Sequence, residues 1–202
     1  MMERAESAHV LSSDEMTISY VASEATTDCE GNNAAAGATV VNRYFVRMDG
    51  NPNIPALVCA GAVNALPSTA ANAGTALLRG VEAFKVLYGI AQAAGNGFVG
   101  PSFYTYGSTG EIPSIQGAYG ANPLVGAVQI GLVVRTEEGV QGVQPPAAAI
   151  DIFRLPMNPA SEPGVISTAS LAAVRVNNMV PIHRVFTGLA AVRNPATITF
   201  VP

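Results

Sequence analysis

Alternation of hydrophobic and polar positions recurs along the chain and predicts a protein built mainly from β-strands. In residues 16–21, Met16, Ile18 and Tyr20 alternate with hydroxyl residues, as expected of a strand with one buried face. Longer runs rich in β-branched and aromatic residues follow, and clusters of turn residues separate them. The strands predicted in this way cover residues 16–21, 38–47, 55–59, 124–136 and 181–192. The second and third are expected to form a hairpin.

Two further segments fit either a helix or a strand. In residues 77–90, Leu77, Val81, Phe84 and Tyr88 have helical spacing, but the apolar positions from Phe84 onward also alternate. Glycines at both ends limit that run to about nine residues, a length that favours a strand. The pattern of residues 165–176 favours neither structure, so both alternatives stay open there.

Four segments are predicted to be loops: 25–37, 60–75, 91–123 and 139–164. The 91–123 segment is rich in glycine, and a structureless loop of this length indicates a functional role or ordering by a partner. Aromatic residues on such a loop are candidate interface anchors, although they are also suited to folding back over the sheet. The candidates are Phe103, Tyr104, Tyr106 and Tyr119.

Composition narrows the class of protein. The 202 residues fit one globular domain spanning 1–202, and 49% of them are hydrophobic. Only 12% are charged, about half of the usual fraction, and the net charge is −4. The basic residues are scattered singly, so we expect no nucleic acid to bind this domain. No apolar stretch reaches the length of a membrane helix.

The sequence lacks the motifs of catalysis, metal binding and cofactor binding. It has two histidines, His9 and His183, and neither belongs to a metal-ligand or nucleophile motif. For His183, a partly exposed position on a strand is favoured over a ligand or pH-switch role. Residues 95–100 match the glycine spacing of a dinucleotide-binding loop, but no helix is predicted after them, so a plain glycine-rich loop is favoured. We expect no enzyme activity, no metal and no cofactor.

Two cysteines, Cys29 and Cys59, leave two alternatives open. They suit a single disulfide in an oxidising compartment, or two buried thiols in a reducing one. The first residues contain no apolar segment typical of an export signal. The cysteine pair indicates export, but the N-terminal residues show no export signal. We therefore expect the sequence to be a fragment that has lost its beginning.

Five segments, taken in order, resemble the PilW-type minor pilins of type IV pili. Each is moderately specific alone, but together they span residues 28–194. They are DCEGN at 28–32 with VVNRYFV at 40–46, PALVC at 55–59, LLRGVEAFKVLYG at 77–89, VGAVQIGLVVR at 125–135, and RVFT at 184–187 with AVRN at 191–194.

The resemblance implies an α+β fold, mainly antiparallel β, like the globular head of a pilin with long loops. Members of that family carry an N-terminal α-helix that is first a membrane anchor and later part of the pilus core, and this chain is expected to lack it. The matched cysteine contexts imply a Cys29–Cys59 disulfide. Many relatives carry an Asp-rich run after the third segment, but residues 90–97 contain no acidic residue. We therefore carry over no metal site.

The same resemblance implies a structural protein of the cell envelope. It would lie on the periplasmic face of the inner membrane and then in the extracellular pilus, where it joins other minor pilins and the major pilin in a priming or tip complex that presents an adhesin. Adhesion and twitching motility are the implied processes. Strand addition at a sheet edge is the expected docking mode, with residues 38–47 and 181–192 as candidate edges. The alternatives are a type II secretion pseudopilin and a free-standing secreted β-rich binding domain.

Overall fold

Two four-stranded antiparallel sheets form most of the structure, a computed structural model. The residues it describes are 13–50, 54–70, 72–94, 97–105, 124–142, 144, 148, 150–153, 165–166 and 179–191. Sheet 1 contains, in spatial order, β1 (Met16–Val21), β4 (Thr39–Asp49), β5 (Ile54–Val63) and β6 (Thr75–Arg79). Sheet 2 contains β12 (His183–Ala191), β9 (Leu124–Arg135), β7 (Val81–Ala94) and β8 (Gly97–Thr105). Two short pairs join β2 (Thr26–Thr27) to β3 (Asn33–Ala34) and β10 (Ile150–Asp151) to β11 (Val165–Ile166).

The prediction of a mainly antiparallel β fold is confirmed. β1 has the predicted bounds, and β4 and β5 form the expected hairpin, with Tyr44 opposite Cys59. The helical part of the α+β prediction is not confirmed, because the described residues contain no helix. It follows that none of the described segments is a helix with the length and apolar character of a membrane span.

The main core lies between the two sheets. Met16 and Val46 from sheet 1 pack with Phe84 and Val86 from sheet 2, and all four are buried. Burying apolar side chains from both sheets is the main favourable term that holds such a sandwich together. A second cluster covers the opposite face of sheet 2. It consists of Ala83, Leu87, Val133, Ile152 and Phe153.

Gly80 takes the chain from sheet 1 to sheet 2. The predicted single strand at 77–90 is therefore two strands, β6 and β7, with Gly80 between them. Its N–H donates to the carbonyl of Pro55 at 2.7 Å, and its carbonyl accepts from the N–H of Arg135 at 2.8 Å. The φ angle of Gly80 is +80°, a region that other residues enter only with strain.

A β-hairpin replaces the first part of the predicted 91–123 loop. β7 continues to Ala94, and β8 returns from Gly97 to Thr105. The expectation of a loop was wrong here, because glycine and proline give the local signal of a loop. β8 is an edge strand, where proline is tolerated. Gly97 and Gly100 thus lie in a strand, and a strand is not the helix that a dinucleotide fingerprint requires. Residues 106–123 lie outside the described residues.

The other uncertain segments are described only in part. β5 extends to Val63, so the predicted 60–75 loop begins later than expected, and it ends where β6 starts. Within 139–164, β10 is a short strand and many of the remaining residues lie outside the described part. Of 165–176, only β11 is described, and it is extended.

A disulfide joins Cys29 to Cys59, and their Cα atoms lie 6.2 Å apart. The loop that carries Cys29 is organised by the buried carboxylate of Asp28, which accepts hydrogen bonds from the backbone of Glu30 and Asn32 at 2.9 Å each. Burial works to raise the pKa of Asp28, but hydrogen bonds from Asn32, Glu30 and Gly31 together hold that pKa below its ordinary value. The disulfide and this charged turn fix the loop against sheet 1.

Residues 13–15 connect the two sheets through charged side chains. Asp14 contacts Lys85 of β7 (Nζ to Oδ1, 3.2 Å) and accepts from the backbone of Val86 at 3.0 Å. Glu15 instead accepts from the Arg43 guanidinium of β4 at 2.7 Å. Lys85 is among the few buried charged residues, and a buried ammonium is stable only when it is paired in this way.

We expect Gly80→Ala to destabilise the fold strongly. A Cβ at Gly80 would lie 2.5 Å from the carbonyl oxygen of Arg135, in addition to the strain of the positive φ. Gly142→Ala is the matched control, because Gly142 has the same φ of +80° but nothing within 4 Å of its Cβ position. Denaturant unfolding should show a loss of about 1 kcal/mol for Gly142→Ala and about 3 kcal/mol for Gly80→Ala. Equal losses would contradict the close approach at Gly80.

Candidate interaction surface

β12 forms one edge of sheet 2, and its exposed side chains are unusually apolar for an edge strand. Val185, Phe186 and Leu189 are 39%, 54% and 66% exposed. Natural edge strands are commonly protected by charges, prolines or bulges, because an unpaired backbone is a template for another strand. From Val185 to Ala191, β12 carries no charge and no proline. We call the stretch His183–Ala191 the β12 edge.

The register shows which backbone groups of β12 face away from the sheet. The N–H of Thr136 donates to the carbonyl of Ile182 at 3.0 Å, so the bonded antiparallel pairs fall at even-numbered residues of this strand. The backbone groups of Val185, Thr187 and Leu189 therefore point outward. Among the described strands, none pairs with them.

The side chains of the β12 edge lie on both faces of sheet 2. Phe186 is opposite Leu132 of β9, on the face that packs toward sheet 1. Val185 is opposite Val133, on the face that Ile152 and Phe153 partly cover. We call the face of β12 that is directed toward sheet 1 its inner face, and the opposite one its outer face. The inner face is open at Gly188, since a Cβ added there would have nothing within 4 Å.

A buried cluster of charged and ionisable side chains fixes the start of β12. The carboxylate of Glu82 lies 2.8 Å from Nε of Arg135 and 2.8 Å from Nε2 of His183. The three side chains come from β7, β9 and β12, and they are 5%, 8% and 2% exposed. We call Glu82, Arg135 and His183 the buried anchor, because they tie three neighbouring strands together at one end.

A bulge in β7 aims Glu82 at its partners. Val81 pairs with Val134 and Ala83 pairs with Val133, so Glu82 is an extra residue between them. Such bulges redirect side chains and recur near functional sites. The Nε of Arg135 is close to the carboxylate but not aligned for a hydrogen bond, so this contact is an ion pair. Removing one partner of a buried ion pair is costly, because the other charge is left buried and uncompensated.

The structure corrects two predictions at this surface. His183 was expected to be a partly exposed strand residue, but its side chain is buried against Glu82. Residues 38–47 were expected to offer a free edge, but β4 is paired with β1 on one side and β5 on the other. Only the second candidate edge, 181–192, lies at the border of a sheet.

Two of the four predicted aromatic interface residues lie in a described strand. Phe103 and Tyr104 lie in β8, the other edge strand of sheet 2, and not in a loop. Tyr106 and Tyr119 lie outside the described residues. Their role at an interface stays a prediction.

Sequence reasoning missed Glu82 and Arg135, although a signal was present. Glu82 lies inside the largely apolar run of residues 81–90, and Arg135 directly follows the apolar run of residues 124–134. Charged side chains are rarely buried unless they are paired, so a charge in such a run is a candidate for a buried pair. Their partner in β12 is far away in sequence: Glu82 and His183 are separated by 101 positions. Within the described part of the chain, no three His, Cys, Asp or Glu residues are grouped as metal ligands.

Comparison with known proteins gives a family match. The model of the family described as Type IV Pilus-assembly protein W matches residues 43–178. Among solved structures, a type IV-like pilin from Thermus thermophilus is similar, with a TM-score of 0.48 and 17% identity, over 95% of this chain and 83% of that one. No curated protein sequence matches the chain.

We expect Glu82→Gln to destabilise the protein by about 3 kcal/mol, because it leaves the buried guanidinium of Arg135 without a compensating charge. Glu138→Gln is the matched control: the same change at an exposed residue just after β9 should cost less than about 0.5 kcal/mol. Denaturant unfolding measures both variants. Equal stabilities would contradict the buried anchor.

Proposed function

Because the chain belongs to the family of type IV pilus-assembly protein W, we propose that it is a minor pilin that initiates assembly of the pilus and joins its tip complex. The family match covers residues 43–178, well over half of the chain. Membership makes the chain a pilin-related component of the type IV pilus system and associates it with the cell envelope. This is a structural family, and its members are typically not enzymes.

The observation that carries the proposal beyond the family is the β12 edge. It presents exposed apolar side chains and a backbone edge with which none of the described strands pairs, and both suit binding to another protein. At its start, the side chains of the buried anchor are engaged with each other in holding strands together. Binding is therefore the proposed work of this surface.

The proposed partners are other minor pilins, the major pilin and a tip adhesin. In this proposal the protein lies at the periplasmic face of the inner membrane before assembly and in the extracellular pilus afterwards, where it supports adhesion and twitching motility. β8, with Phe103 and Tyr104, is the second edge of sheet 2 and a secondary candidate for such contacts.

Deletion of the gene in its natural host tests the proposal. We expect most surface pili to disappear in electron micrographs, while the cellular amount of major pilin stays unchanged on immunoblots, because an initiator acts before the fibre grows. Expression of the intact gene should restore the fibres.

Two results would contradict the proposal and favour a named alternative. Normal pili with lost secretion of extracellular proteins would indicate a type II secretion pseudopilin. Normal pili and normal secretion would indicate a free-standing binding domain.

A further inference from the structure

The β12 edge has features that restrict what can bind to it. We propose that it accepts an extended segment of a different pilus subunit, which adds to sheet 2 next to β12, is apolar on both faces and carries a carboxylate facing Arg184. That the partner is a pilus subunit rests on the proposed function. The strand geometry and the charge of the partner are derived from β12 itself.

The outward-pointing backbone groups of β12 require a partner in the form of a strand. Val185, Thr187 and Leu189 direct their N–H and C=O groups away from β9, and none of the described strands pairs with them. A helix or a flat protein surface would bury these polar groups without hydrogen bonds, which is unfavourable. An extended segment satisfies them in the same way as a further strand of the sheet.

The side chains define the apolar character of that strand. Phe186 projects on the inner face next to Leu132, while Leu189 projects on the outer face. Cross-strand neighbours on the same face stabilise a sheet through their contacts. A binding strand with one polar face would therefore leave either Phe186 or Leu189 beside polar groups, so both faces of the partner should be apolar near them.

The single charge of the β12 edge selects among possible occupants. Arg184 is exposed, and among the described residues it makes no ion pair. A second copy of β12 would not complement it, because residues 183–191 contain no acidic side chain. The chain's own residues 192–202 contain none either and add another arginine. Charge complementarity thus argues against both of these occupants, and a strand from a different protein is the proposed one.

The buried anchor prepares the edge for this partner. Because His183 is held by Glu82 at the first residue of β12, the strand keeps its register on β9 without a partner. A preformed edge loses less conformational entropy on binding than one that must first become ordered. β6 is a poorer candidate, since it has only five residues and its Arg79 is paired with Glu137.

The test uses synthetic nine-residue probe peptides of Val, Ile and Thr with one Glu placed near either end, which allows for both strand directions. Binding is measured by fluorescence anisotropy. Thr187→Pro removes one outward N–H and leaves the bonds to β9, whereas Thr187→Val keeps that N–H at a similar side-chain size. We expect Thr187→Pro to weaken binding roughly tenfold and Thr187→Val to change it little.

Charge reversal tests the role of Arg184. Replacing Glu by Lys in the better probe should weaken binding to the unaltered protein about threefold, as expected for an exposed charge pair. The Arg184→Glu variant should reverse this preference. If Thr187→Pro unfolds at a lower temperature than Thr187→Val, Thr187→Lys replaces it, since a lysine on an edge also opposes strand addition.

Three kinds of result would overturn the proposal. The first is equal binding of the Glu and Lys probes, or binding to Thr187→Pro as tight as to Thr187→Val. The second is self-association of the unaltered protein that Thr187→Pro abolishes, since it would make a second copy the occupant. The third is much tighter probe binding by a variant that ends at Ala191, since it would make residues 192–202 the occupant.

Complementation separates this proposal from the function on which it rests. In a host where the deletion removes pili, expression of Thr187→Pro should restore far fewer fibres than Thr187→Val. Equal restoration would contradict strand addition at the β12 edge and leave the proposed pilus function intact. Pili unaffected by the deletion itself would contradict the function instead.

Discussion

The backbone N–H and carbonyl groups of Gly80 join the two sheets, and the rest of the described structure depends on that junction. Its N–H bonds to Pro55 in sheet 1 and its carbonyl bonds to Arg135 in sheet 2. The chain can cross between sheets in one residue only because glycine tolerates both the positive φ and the contact with the Arg135 carbonyl. The bulge that presents Glu82 begins one residue later, and Glu82 then meets the side chain of that same Arg135.

Among the described residues, the few buried charges hold defined structural positions. Only 12% of residues are charged, yet charges are buried at Asp28, Glu82 and Lys85. Each is compensated: Asp28 by backbone N–H groups, Glu82 by Arg135, and Lys85 by Asp14. Charge is thus used to fix loops and strand ends. Arg184 differs from them because it is exposed and has no ion-pair partner among the described residues.

Strand positions were largely predictable from the sequence, because alternation and β-branched composition are local properties. They identified β1, β4, β9 and β12 with small errors at the ends. The hairpin of β7 and β8 was missed, because glycine and proline in an edge strand give the same local signal as a loop. Whether a strand is central or at an edge depends on partners distant in sequence, which explains the error for residues 38–47.

The candidate site was predictable only in outline. The 181–192 strand was identified as a possible edge, but the buried environment of His183 arises from Glu82, on a different strand of the same sheet. A single sequence carries no direct sign of that pairing. The disulfide was one of two alternatives on composition alone, and the matched cysteine contexts made it the expected one.

Mass spectrometry of purified pili tests the central claim most directly. Fibres sheared from the natural host and separated from membranes should contain peptides of this chain, at a small fraction of the amount of the major pilin. That result is expected of a minor pilin that enters the fibre. Peptides of the chain found only in the culture medium or the membrane fraction, with none in the fibres, would contradict the account.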